Sequence, residues 1–324
     1  MNELSALSGL RDDVPLPDVD RLAAPRTRLT AAFRQETRRG RAAFPNRRMI
    51  LAGAAAGALA MAAGIVATLP EDGTRASAGQ GPRVLSAGAS ADALELAAAT
   101  VEKHDGTEPG PKQWVYDKST VFVQGKPQSS EEWSRWDGTG HASLPGIPPA
   151  GDISDFDPDE LQVWYGPNQE ARWKEEGYDD RSQRQFYRFL ASLPSDPGRM
   201  MKRIRQEHAI GSIKGETRAQ RDWREIDVLY RSVLIPPNVQ AGLFRALAKI
   251  PGARVATGVK DPLGRAAIGV SVTYAEKTPS GWQGKQEIFF DPESYAYLGQ
   301  TRNDGKIVSA RAAWGVVNKP GARP

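Results

Sequence analysis

The sequence contains no cysteine. Disulfides, Cys-ligated zinc, iron–sulfur clusters and thiol nucleophiles are thereby excluded together. Histidine is scarce, with His104, His141 and His208 alone and at no metal-ligand spacing. There is no G-x-S-x-G elbow, P-loop, G-x-G-x-x-G turn or H-E-x-x-H helix, so the enzyme classes those motifs define are not indicated. No catalytic residue, cofactor or metal is expected, and the chain reads as a non-enzyme. Residues 1–48 lack lysine, and only two of the 25 aromatic residues precede residue 93.

What is present is unevenly placed. The chain has 324 residues and a net charge of +4. All of that excess lies in residues 1–48, which hold ten Arg against six acids, while the remainder carries 33 basic and 33 acidic residues. Between the two parts lie 21 uncharged residues, 49–69, nine of them Ala and three Gly. At about 1.5 Å per residue a helix of that length just crosses a hydrocarbon core of ~30 Å. Six Arg between Arg34 and Arg48 precede it, and Pro70, Glu71 and Asp72 follow it. Positive charge stays inside, so the pattern predicts a single span with a cytoplasmic N-terminus and an extracytoplasmic C-terminal domain. A cleaved signal peptide would place a shorter apolar core nearer the start. Gly53 and Gly57 form a G-x-x-x-G that fits homodimeric packing of the span, against the plainer reading of a weakly packed anchor.

In the tail, Leu22, Leu29 and Phe33 lie near one helical face. Two short helices joined by Val14-Pro15-Leu16-Pro17 cannot build a core. The tail is therefore either a topogenic leader or a docking segment that buries this face in a cytoplasmic partner. Its Arg run also suits an anionic lipid surface. No helix-turn-helix or zinc pattern accompanies the charge, so direct nucleic-acid binding is not expected.

Residues 70–92 are rich in Gly, Ala and Ser and read as a flexible linker. Beyond them, residues 93–324 form the extracytoplasmic domain. Ser90 caps a helix carrying Leu94, Ala97, Ala98 and Val101. Alternation predicts strands at 113–124, 131–137 and 161–165. Helices follow at 182–193, from Ser195-Asp196-Pro197, at 219–234 and at 238–250. Strands close the chain at 253–260, 265–276, 282–290, 294–301 and 306–317. Short connections imply antiparallel hairpins. The fold class is α+β: a curved antiparallel sheet, a half-barrel, with helices on one face, preceded by one transmembrane helix and a short helical tail. Alternation in 282–290 implies a strand buried on one face, so one of Phe289 and Phe290 points inward.

Trp114, Trp133, Trp136 and Trp164 concentrate in the first sheet region, with Trp173 beyond them. Core packing accounts for such residues; a curved sheet under helices also offers a groove lined by them for a lipid or peptide. Asp152, Asp155, Asp157, Asp159 and Glu160 gather five carboxylates, and Asp155, Asp157 and Asp159 match the first three ligands of a calcium loop, but Glu160 stands where the loop needs Gly and Gly166 where it needs Glu, so a solvated acidic loop is expected. His141 reads as part of a Gly/Ser turn.

The runs LASLPSDPGRMMKRIR, PPNVQAGLFRALAKIPGARV, DPLGRAAIGV, EIFFDPESYAYLGQ and VVNKPGARP, with the opening LSALSGLRDDVPLPDVDRL, resemble a family of actinobacterial single-pass membrane proteins often encoded beside extracytoplasmic-function sigma factors. The likeness covers nearly the whole chain. Pro25 departs from it, where relatives tend to have Ala. The outer domain is similar to the half-barrel of periplasmic lipoprotein carriers and of the sensor partner of an envelope-stress anti-sigma factor. The resemblance implies a signalling protein whose outer domain senses an envelope ligand and whose tail contacts a cytoplasmic regulator, a sigma factor. The alternative is an anchored binder or carrier of a lipid or other hydrophobic ligand, with a purely topogenic tail.

Overall fold

Turn chemistry divides the chain into short elements. In the computed structural model the described residues are 81–123, 125–146, 157, 159–168, 170, 181–207 and 210–324. In order they form β1 (Arg83–Val84), α1 (Ala87–Val101), β2 (Trp114–Val123), β3 (Lys126–Arg135), β4 (Gly140–Leu144), β5 (Gln162–Tyr165), α2 (Gln183–Ala191), α3 (Pro197–Glu207), α4 (Arg218–Ser232), α5 (Pro237–Ala248), β6 (Arg254–Lys260), β7 (Ala266–Tyr274), β8 (Gly284–Phe290), β9 (Tyr297–Arg302) and β10 (Ile307–Val317).

Helix starts follow from local chemistry. Ser182 with Gln185 and Thr217 with Gln220 form capping boxes that open α2 and α4, each satisfying two N–H groups at a helix start. Asp196 Oδ1 accepts from Arg199 N at 2.7 Å ahead of α3, which opens on Pro197. α1 starts earlier than the sequence suggests: Ser86 is its N-cap. Ser90 lies inside the helix, where its Oγ accepts from Val255 N at 3.0 Å and so ties α1 to β6.

All strand pairs are antiparallel, in the order β1-β6-β7-β8-β9-β10-β2-β3-β4-β5. Two meanders, β2–β5 and β6–β10, are joined through the β10–β2 pair, and the helices α2–α5 are inserted between them in sequence. The sheet ends on β1 and β5, which do not pair, so it is open.

The expected half-barrel is corrected on these observations, and the expected transmembrane helix and helical tail are not shown by them. The described residues form one open ten-stranded antiparallel sheet with five helices. Among them no helix is long and apolar enough to cross a membrane. Residues 1–80, and with them Leu22, Leu29, Phe33, Gly53 and Gly57, lie outside the described residues.

A sheet with one wet face is not what the sequence encodes either. Wherever both parities of a strand are apolar, both faces are buried. The main core sets α1–α5 against Val255, Val270, Val272, Ile288 and Phe290. On the opposite face Phe289 packs with Ala267 and Leu298, and Trp114, Tyr116, Trp133 and Val317 form another cluster. Phe289 and Phe290 are thus both buried, on different faces, contrary to the one-sided strand expected from alternation.

Arg311 fixes the seam between the meanders to the helices. It is 8% exposed. Its guanidinium donates to the carbonyls of Tyr230 and Arg231 at 3.3 and 3.0 Å and to Asp117 Oδ2 at 3.2 Å, and it lies 3.2 Å over the Trp314 ring. The last carbonyls of a helix have no partner within it, and Arg311 supplies one at the end of α4.

Asp117 faces Glu132 across the β2–β3 pair. Burial, and then the neighbouring Asp117, push the Glu132 pKa from 4.5 up to about 7. Between those values the folded chain holds a proton that the unfolded chain has released, so stability falls as pH rises through that window. The slope is at most about 1.4 kcal/mol per pH unit. Thermal unfolding of the wild type and Glu132→Gln from pH 4.5 to 8 should show the wild type losing ground steadily, while the variant is flatter. Parallel profiles would refute the assignment.

Candidate functional site

Small side chains on a buried helix face leave room beneath it. In α1, Ala93 and Ala97 are one turn apart and stand beside Leu94 over the end of the sheet. Under them is a cavity of about 150 Å³, lined also by Phe244 of α5, Val255 and Thr257 of β6, Ile268 and Val270 of β7, Phe290 of β8, and Tyr295. Leu96, 62% exposed, stands at its rim.

The aromatic wall is built rather than incidental. Phe244 and Phe290 meet edge to face at 4.9 Å, and Phe244 meets Tyr295 at 5.9 Å. Tyr295 has φ +55°, a conformation rare for a bulky residue. It is held there by its N–H on Asp291 O at 3.0 Å and by Gln240 Nε2 donating to its carbonyl at 3.1 Å. Burial would raise the Asp291 pKa, but three donors to its carboxylate, the Ser294 backbone and hydroxyl and the Glu293 backbone, with the charge of Arg265, outweigh it and hold the pKa below the usual range. Burial raises the Tyr295 pKa, so its phenol stays neutral. Outside, Arg245 of α5 spans Glu95 of α1 and Glu102 at its C-cap, with contacts of 2.5 to 3.0 Å, and pins the roof of the cavity to its wall.

The lining contains no carboxylate, imidazole, amine or serine. The cavity is therefore suited to hold an apolar group.

The four tryptophans expected to line one groove are not brought together. Trp114 and Trp133 share the face opposite the helices, closed by the chain end, where Trp133 Nε1 donates to Ala322 O at 2.6 Å. Trp136 lies on the helix face, 5.5 Å from Tyr187. Trp164 is on the outer strand β5, 40% exposed, stacked 5.9 Å from His141. His141 itself is on β4 rather than in a turn. Asp157, Asp159 and Glu160 are exposed, and no cluster of His, Asp and Glu among the described residues could hold a metal. Trp173, Asp152, Asp155 and His208 lie outside the described residues.

The pocket residues escaped the sequence reading, although one signal was present: alanines in the buried stripe of α1 where a filled interface would carry Leu or Ile. No protein-family model matches the chain, and no curated protein matches it.

Proposed function

We propose that the chain is a non-enzymatic, membrane-attached binding protein whose folded domain takes an apolar group under α1. The observation that carries this reading is the cavity of about 150 Å³ with largely apolar walls. A cavity of that order, lined by Leu, Ile and Phe, accepts a benzene-sized group. Membrane attachment rests on the uncharged residues 49–69 and their flanks, with the domain outside because the Arg excess precedes them. The end of an acyl chain is the ligand chemistry that fits both features.

Linear carboxylates of four to ten carbons test it. Each methylene buried adds about 0.8 kcal/mol, or roughly fourfold in affinity. Affinity should climb at that rate and level off once the cavity is full, at about six buried carbons. The methyl signals of Leu94, Val255, Ile268 and Val270 should move during titration. Ala97→Phe, which fills the space, should abolish both effects. Shifts elsewhere, or no dependence on chain length, would count against the pocket.

Signalling to a sigma factor through the tail is the second reading, favoured by the near-common face of Leu22, Leu29 and Phe33. It makes a separate prediction. Leu29→Ser with Phe33→Ser should abolish recovery of a cytoplasmic partner while leaving acyl binding unchanged. Unaltered partners and transcription would leave the tail a topogenic leader.

A further inference from the structure

Strand burial shows where the cavity under α1 opens. Along β6 and β7 it falls in the same direction: Val255 and Val270 are enclosed, Thr257 and Ile268 are half-buried, and Lys260 and Ala266 are exposed. The cavity therefore opens toward Lys260 and Ala266. Leu96 lies two residues, about 200°, around α1 from the core residue Leu94 and is the exposed part of the rim. A ligand with its tail inside leaves its head at this mouth.

Register places two cations there, on the cavity side of the sheet. Arg83 of β1 is opposite Thr257, which lines the cavity. Directly opposite residues share a face, with Cβ atoms about 4.5–5.5 Å apart. A bulge between Ala256 and Val259 resets the alternation of β6. Val259 turns to the other face, beside Phe289, and Lys260 returns to the cavity side opposite Ala266. Ala266 is two residues from the lining residue Ile268 and so shares its face. At about 3.3 Å per residue, Thr257 and Lys260 are at most roughly 10 Å apart along the strand. Arg83 and Lys260 thus flank the mouth from adjacent strands, and their long stems let both charged heads approach one group between them.

The charge of this mouth contrasts with its interior. Of the lining residues only Thr257 and Tyr295 carry a polar side chain. Arg83 and Lys260 are exposed, and neither is in an ion pair among the described residues. Of the two acids in α1, Glu95 is taken up by Arg245 and Asp92 faces solvent. An anionic head at the mouth gains two charge contacts and stays hydrated, so no large desolvation cost opposes them. An uncharged head gains neither contact, and a cationic one is repelled.

We propose that the site selects anionic amphiphiles, with Arg83 and Lys260 holding a carboxylate or phosphate head at the mouth while the tail lies under α1. This rests on the reading of the cavity as an acyl site and adds the class of ligand. Carboxylate and phosphate present the same acceptors, from a fatty acid or from a lipid phosphate.

The test uses the full chain in phosphatidylcholine nanodiscs, with empty nanodiscs correcting for ligand in the bilayer. Hexanoate, hexyl phosphate, hexanol and hexylammonium share one tail and differ in the head. Affinities are read from the Leu94 and Ile268 methyl signals. Exposed charge contacts are worth a few-fold each, so hexanoate or hexyl phosphate should bind about tenfold tighter than hexanol, and hexylammonium most weakly. The tighter anion identifies the source, and either supports the site. Arg83→Gln with Lys260→Gln should bring the anion and hexanol affinities together while leaving that for hexanol unchanged, which also shows the variant folded. Salt at 0.5 M should shrink the anion preference in the wild type, as for any exposed charge. Equal affinity for hexanol and both anions, or an anion preference that survives the double variant, would overturn the proposal and leave the acyl site standing. Failure of all four ligands to move the methyl signals would overturn both.

Discussion

Arg311→Met should destabilise the folded domain by about 3–5 kcal/mol, the cost of removing one partner from a buried ion pair. The side chain is 8% exposed and serves three acceptors, Asp117 and the carbonyls of Tyr230 and Arg231. Its loss strands a buried carboxylate opposite Glu132 and leaves the carbonyls at the end of α4 without this donor. Burial already raises the Asp117 pKa against the pull of Arg311, so without the guanidinium it should rise further. The companion variant separates the two costs. Adding Asp117→Leu to Arg311→Met removes the stranded charge and should restore part of the loss, since buried pairs are often replaceable by apolar residues at little net cost. Denaturant unfolding of both variants measures this. A double variant no more stable than Arg311→Met alone would contradict the pairing.

Phe290→Ala should cost about 3–5 kcal/mol, in the range for a fully enclosed Phe. Its ring is completely buried and meets those of Tyr230 and Phe244 at 4.9 Å each. Phe289→Ala should cost less, roughly 2 kcal/mol, but well above a surface change. Phe289 is 5% exposed in a small cluster with Ala267 and Leu298 on the opposite face. The order of the two effects reports which face holds the main core. A negligible effect at Phe289 would mean that the second face is wet.

These two phenylalanines also show what the sequence could and could not convey. Alternation located β8, but Ile288-Phe289-Phe290 is apolar on both parities, and reading it as half-buried overlooked the second covered face. Helices were legible because their ends carry local chemistry: Ser182 with Gln185, Thr217 with Gln220, and Asp196 before Pro197. β4, GHASL, escaped because Gly, His, Ala and Ser carry little strand preference. It is placed by pairing with β3, a tertiary fact.

The candidate sites were less legible for a related reason. Tryptophans attract attention because they are large, yet Trp133 and Trp136 are fully buried where space is filled. A pocket arises where side chains are small, and in α1 the alanines at 93 and 97 read as ordinary helix formers. Only the position of Phe244, Phe290 and Tyr295 below them makes an opening.

The binding claim is tested most directly by isotope-filtered nuclear Overhauser spectroscopy on the chain with hexanoate bound. Contacts from the terminal methyl of the ligand to Leu94, Val270 and the Phe290 ring, with the carboxylate near the exposed Leu96, are the predicted result. Contacts confined to other surfaces, or none at saturating hexanoate, would contradict it.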